Sequence, residues 1–307
     1  MLWLAHERYG FVYWVVGFLG LTWLSTLFFG RAREDGPQTR GERVKRGLAS
    51  YLTRVLYQET LFFLLPFYAY STVVPSWNLG LLVLLAVLAV LACLDLVFDR
   101  WLRTSPVFSL VFFASVAFAA LNLLLPMLLS LDPALATPAA GVGALLTALP
   151  LAARGELRSV RATLGLGAAA LATLGLVLGF PQLVPPVPLR LQAVQFAAAL
   201  DRETLEPVDP IGEEATLAEL DGRLVVLARV FAPAAMPARV SVDWYRDDEP
   251  LRSSREVRIT AHAGGFRLWD VLRPDSGEME PGLYRVVLRT AGGRAFGSSR
   301  LRLREGG

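Results

Sequence analysis

Six apolar stretches follow one another between residues 11 and 180, and almost every basic residue between them falls in alternate gaps. The first, FVYWVVGFLGLTWLSTLFF (11–29), carries no charge. At about 1.5 Å of helical rise per residue it just crosses a hydrocarbon core of roughly 30 Å. The others span 52–74, 80–98, 107–131, 138–153 and 162–180. Lipid offers no partner to a bare backbone amide, so each is predicted to be a helix. Arg31, Arg33, Arg40, Arg43, Lys45 and Arg46 lie in the first gap, Arg100 and Arg103 in the third, and Arg154, Arg158 and Arg161 in the fifth. The gaps 75–79 and 132–137 hold no Lys or Arg. Basic loops stay in the cytoplasm. The expectation is therefore a six-helix transmembrane bundle over 1–180, a multi-pass inner-membrane protein with both termini on the periplasmic side. The first stretch does not read as a signal peptide, because its charges flank the wrong end and only FFGRAR follows it.

Polar side chains inside such spans are candidate sites. Arg54 and Glu59 lie in the second stretch, Asp95 in the third and Asn122 in the fourth. The second and third are joined by a short connection, so Arg54 could reach Asp95 or Asp99. Two readings follow: an ion pair that holds a helical hairpin together, or a proton or ion path through Glu59.

PQLVPPVP (181–188) reads as a semi-rigid linker, since clustered prolines favour an extended chain. Beyond it the hydrophobic period changes to two. Val240, Val242 and Trp244 alternate with Arg239, Ser241 and Asp243, and Tyr284, Val286 and Leu288 with Arg285, Val287 and Arg289. GRLVVLARVFAP (222–233) is apolar on both faces, as a central strand is. Residues 189–307 are thus expected to form an all-β, Ig-like sandwich. Its core would include Trp244, Phe266, Trp269 and Tyr284, and EPGLYRV (280–286) has the pattern of a tyrosine corner. The only cysteine, Cys93, lies in a predicted span, so no disulfide staples the sandwich.

Charge is unevenly spread over this half. Residues 201–221 hold eight acids and one Arg. Arg285, Arg289, Arg300, Arg302 and Arg304 fall on one face of the last hairpin. That face could bind an anionic lipid, an acidic glycan or an acidic protein partner. Alternatively it is a solvated face that discourages edge pairing. Outside the cytoplasm nucleic acid is not an expected partner. His6 and His262 are the only histidines and stand far apart. No zinc, haem or iron–sulfur spacing occurs, and there is no GxSxG, HExxH or phosphate-cradling loop. No cofactor, metal or catalytic residue is expected, and the chain is not read as an enzyme.

Several segments together resemble an uncharacterised family of bacterial inner-membrane proteins. They are YQETLFFLLPF (57–67), Leu94–Asp95, LVPPVPLRL (183–191), VFAPAAMPARVSVDWYRDDEPL (230–251), GGFRLWDVL (264–272) and PGLYRVVLRTAGGRAFG (281–297). The resemblance implies a multi-helix membrane region followed by a periplasmic β-rich domain of unknown function. The chain departs from the pattern at Val242–Asp243, Asp270 and Tyr284, and no ligand is carried over. The leading expectation is a membrane anchor that presents a β-sandwich interaction module to a lipid, glycan or protein partner of the cell envelope. The alternative is a small ion-coupled transporter working through Glu59, Asp95 and Arg54.

Overall fold

The computed structural model describes residues 40–74, 76–94, 105–129, 131–154, 179–201, 203–232, 238–259, 265–274 and 278–305, and eight isolated positions. The chain divides into two compact units. One comprises residues 1–69, 80–129 and 135–180, and the other 70–79, 130–134 and 181–307.

Four α-helices stand among the described residues: α1 (Arg40–Tyr70), α2 (Leu79–Cys93), α3 (Pro106–Leu129) and α4 (Pro133–Arg154). The expected six-helix membrane bundle is not what is found, and the multi-pass reading falls with it. Among the described residues, only Val107–Leu129, within α3, is by length and composition able to cross a membrane. The physical reasons differ by helix. α1 begins at Arg40, in the basic gap, so its first turns are polar. α2 has 15 residues, a length of about 22 Å, which falls short of a bilayer core. The apolar part of α4 is Pro133–Leu149. The first and sixth stretches, 11–29 and 162–180, lie almost wholly outside the described residues. With its two sheets the chain is a mixed α and β protein.

Local chemistry sets the helix starts. Ser105 Oγ accepts the Phe108 amide at 3.2 Å, and Pro106 takes the first helical position of α3. Asp132 Oδ1 accepts the Ala134 amide at 2.8 Å, and Pro133 opens α4. The faces of two helices are inverted relative to those of a water-soluble bundle. α4 buries Ala136, Ala140, Ala144 and Ala148 and exposes Leu135, Val142, Leu146 and Leu149. α2 buries Leu85, Leu88, Ala89 and Ala92 and exposes Val83, Leu84, Val87 and Val90.

Among its described residues the second unit holds ten strands: β1 (Arg190–Asp201), β2 (Glu206–Ile211), β3 (Glu214–Thr216), β4 (Leu224–Phe231), β5 (Ala238–Arg246), β6 (Glu249–Ser253), β7 (Val257–Ile259), β8 (Phe266–Leu272), β9 (Gly282–Thr290) and β10 (Ala295–Arg304). One sheet runs β2-β1-β4-β8. The other runs β3-β10-β9-β5-β6, with β7 also paired to β5. β3 lies parallel to β10, and every other pairing is antiparallel. Phe196, Val226 and Leu268 from the first sheet share one core with Val242, Trp244, Val286, Leu288 and Leu301 from the second. Asp247 and Asp248 both have positive φ, 49° and 68°, which closes the tight turn between β5 and β6.

Tyr70–Leu79 and Ser130–Ala134 belong to this unit although the sequence assigned them to the membrane half. Val73 is buried with Val287 and Ala295, and Asn78 Nδ2 donates to the Ala295 carbonyl at 2.9 Å. The Arg190 guanidinium lies between the Tyr70 and Phe231 rings, 5.3 and 4.9 Å from their centroids. Val184 and Val187 of the proline-rich segment, and Leu189 just after it, are buried.

Two glycines test the packing. At Gly297 a Cβ would meet Leu191 Cβ at 2.5 Å, close to the backbone, where nothing can yield. Gly297→Ala is expected to cost about 2 kcal/mol. At Gly143 a Cβ would meet Leu121 Cδ1 at 2.9 Å, the free end of a flexible side chain. Gly143→Ala is expected to cost under about 1 kcal/mol. Denaturant unfolding followed by tryptophan fluorescence checks both, and an unaffected Gly297→Ala protein would contradict the close approach of β10 to β1.

Candidate functional site

Of the four polar candidates of the helical unit, Arg54, Glu59 and Asn122 are among the described residues. Asp95 and Asp99 lie outside the described residues, so no pair with Arg54 is described. The Arg54 guanidinium lies over the Tyr51 ring on its own helix, 5.5 Å from the centroid. Glu59 is exposed. A polar link between α1 and α2 is made by Gln58, whose Nε2 donates to the Ala92 carbonyl at 2.7 Å. Sequence reasoning passed over it because an uncharged amide beside Glu59 drew no notice.

Asn122 is the member of the set that has a built environment. It is 2% exposed on α3. Its Nδ2 donates to Tyr68 Oη at 3.1 Å, Tyr68 Oη donates to the Ala119 carbonyl at 3.0 Å, and Thr137 Oγ1 donates to Asn122 Oδ1 at 2.9 Å. Tyr68 and Thr137 are buried too. One polar residue from each of α1, α3 and α4 thus meets in an apolar interior. In this chain both Asn122 atoms are occupied by protein, so the geometry is that of a structural clamp, not of a ligand site.

The arginine face sorts into two kinds. Arg289 Nε donates to Asp243 Oδ2 at 2.7 Å, and its other nitrogens reach the Gly293 carbonyl and Tyr245 Oη. Arg285 pairs with Asp248 at 2.9 Å and stacks on Tyr245. Arg304 pairs at 2.5 Å with Glu214, a member of the acidic segment. Arg300 and Arg302 are exposed and have no ion pair among the described residues. Three of the five expected binding cations are therefore already neutralised.

The three expected structural residues take different positions. Trp244 is fully buried, and its Nε1 donates to Asp270 Oδ2 at 2.8 Å across the core. Asp270 Oδ1 also accepts from Arg252 at 3.0 Å. Tyr284 is buried, and its hydroxyl donates to the Glu280 carbonyl at 2.9 Å, four residues back. Trp269 is not in the core. It is 39% exposed, because Asp270 faces inward to Trp244 and a strand alternates its sides.

The outer face of the β2-β1-β4-β8 sheet carries a cleft of about 410 Å³, which sequence reasoning did not find. Ala193, Gln195, Glu206, Leu227, Arg229 and Arg267 are among its lining. Ala193, Arg229 and Arg267 are directly opposite one another across β1, β4 and β8. Gln195, Leu227 and Trp269 form the neighbouring row. Arg267 donates to the Thr204 and Leu205 carbonyls, at 2.9 and 3.3 Å. Beside this region Asp201 accepts the Glu203 amide and the Thr204 hydroxyl, which hold its carboxyl below the usual range. Among the described residues no group of three or more His, Cys, Asp or Glu could hold a metal.

Two predictions test the buried polar groups. Asn122→Leu leaves the Thr137 hydroxyl without its acceptor and should cost about 2 kcal/mol. Adding Thr137→Val should restore part of the loss, since both partners are then apolar. Thermal unfolding of the two single variants and the double variant measures the coupling. Burial pushes the Tyr284 phenol above its ordinary value, against the opposing pull of Arg246. A raised folded value means that the contribution is complete below the ordinary phenol value, about 10, and is lost as pH rises through the folded value. In Tyr284→Phe that part of the alkaline loss should vanish, while stability at neutral pH falls by about 1 kcal/mol with the bond to Glu280. Denaturation of both proteins at about pH 7 and about pH 11 separates the two effects.

No curated protein matches the chain. One family model matches residues 2–223, which take in the helical region and the chain through β3 up to the start of β4. The chain belongs to that family, described as a family of unknown function (DUF5924).

Proposed function

We propose that this protein is bound to a bacterial inner membrane through its helical unit and presents its β unit, on the outer side, as an interaction module of the cell envelope. The observation that carries the reading is the inverted dress of α4, with alanines inside and Leu and Val outside, together with the apolar outer face of α2, Val83, Leu84, Val87 and Val90. In water such a face is costly, whereas lipid accepts large apolar side chains and leaves small residues to pack helix on helix. α3 supports the orientation. Arg100 and Arg103 precede it, and the segment after it, Ser130–Ala134, carries no Lys or Arg and belongs to the β unit. The exposed pair Arg300 and Arg302 on β10 offers charge to an anionic partner.

Two experiments test this. Washed at high pH, membranes that hold the full chain should retain it until detergent is added, and release into the wash would refute membrane binding. Gentle extraction followed by cross-linking should recover a stoichiometric partner, and Arg300→Glu with Arg302→Glu should weaken that product at low salt. A clean monomer under several extraction conditions would refute the interaction module. An unchanged product in the double variant would remove the role of the two arginines.

A further inference from the structure

We infer that the cleft on the outer face of the β2-β1-β4-β8 sheet binds a carboxylated sugar, with the carboxylate held at Arg229 and Arg267 and the sugar face laid on Leu227 and Trp269. The starting point is a pairing that stability alone disfavours. Arg229 and Arg267 are directly opposite on neighbouring strands, where like charges repel. Among the described residues neither is in an ion pair, although six other arginines of the same unit are. An anion between them removes the repulsion.

The two guanidiniums are held differently. One nitrogen of Arg267 is engaged by the Thr204 and Leu205 carbonyls, which fixes that side chain and leaves its other donors available. The Arg229 stem passes against Gly265, where φ is +87° and a Cβ would meet Arg229 Cγ at 2.7 Å. The stem is thus located by the backbone, while the head is in no ion pair among the described residues. Planar forks of this kind match a carboxylate two bonds at a time.

The rest of the cleft selects what the carboxylate is attached to. Leu227 and the exposed Trp269 make an apolar strip beside the arginines, and an indole face is suited to the C–H face of a pyranose. Gln195 and Glu206 line the same cleft and can serve ring hydroxyls. Ala193 keeps the floor low next to Arg229. The volume, about 410 Å³, suits one or two sugar rings. The inference does not depend on where the helical unit resides.

The test titrates the full chain with glucuronate, glucose and inorganic phosphate, followed by tryptophan fluorescence and calorimetry. Glucuronate should bind saturably, with a dissociation constant on the order of 1 mM. Glucose and phosphate should each bind at least about tenfold more weakly. Arg229→Gln, with an unchanged unfolding midpoint, should weaken glucuronate about tenfold or more. Absence of saturable glucuronate binding overturns the inference. So does glucose that binds equally well, phosphate that binds as tightly, or an Arg229→Gln protein that folds normally and binds like the parent. The comparison of three probes on the parent protein stands even if the variant does not fold.

Discussion

The hydrogen bond from Trp244 Nε1 to Asp270 fixes more of the β unit than any other single contact. It joins the two sheets through their shared core, and it decides which side of β8 is the inside. A strand has only two sides, so an inward Asp270 places Phe266, Leu268 and Leu272 inward too, and turns Arg267 and Trp269 out. The register with β4 then sets Arg267 beside Arg229 and Trp269 beside Leu227. The outer cleft is in this sense a consequence of a bond in the core. A largely desolvated carboxylate needs partners, and the half-buried Asp270 has two, the indole N–H and the Arg252 guanidinium.

That choice was hidden in the sequence. In FRLWDVL both parities carry large apolar residues, and a tryptophan set against an aspartate argues for the tryptophan inside. Nothing local reveals that a second tryptophan, twenty-five residues earlier, holds an N–H that needs an acceptor in the core. Where one parity is plainly apolar the pattern sufficed: Val240, Val242 and Trp244 on β5, and Tyr284, Val286 and Leu288 on β9, are all buried. The tyrosine corner was legible for the same reason, since a Pro-Gly turn ahead of an alternating strand leaves its Tyr one place to go. The candidate cleft was not legible, because it rests on pairing among three strands that are far apart in the chain.

The helical half shows a different limit. Apolar runs reveal where a chain avoids water but not how far a helix continues, and α2 stops at Cys93 after 15 residues. Hydropathy alone also cannot say which side of an apolar helix faces its neighbours. The alanines of α4 at positions 136, 140, 144 and 148 recur every four residues, and they face inward. The interior they build is narrow enough that Tyr68, Asn122 and Thr137 can reach one another from three helices. Asn122 drew attention as an intramembrane polar residue, and the structure gives the reason for its presence: it holds helices together where packing of small residues supplies little directional preference.

Arginine is abundant in this chain, and its charge carries meaning only by what stands opposite. On the β9–β10 face, Asp243, Asp248 and Glu214 lie within ion-pair distance of Arg289, Arg285 and Arg304, so most of that face is balanced by its own sheet or by the acidic segment. Such exposed pairs add little stability, but they remove the charge from what a partner could see. On the opposite sheet Glu206 lines the cleft, but among the described residues it forms no ion pair with Arg229 or Arg267, and the two arginines stand next to an exposed indole. Two arginine-bearing surfaces, one with five and one with two, therefore differ in kind. The one that sequence reasoning singled out by density is largely satisfied, and the one it overlooked, with two arginines in separate strands, keeps its charge for something that is not part of the chain.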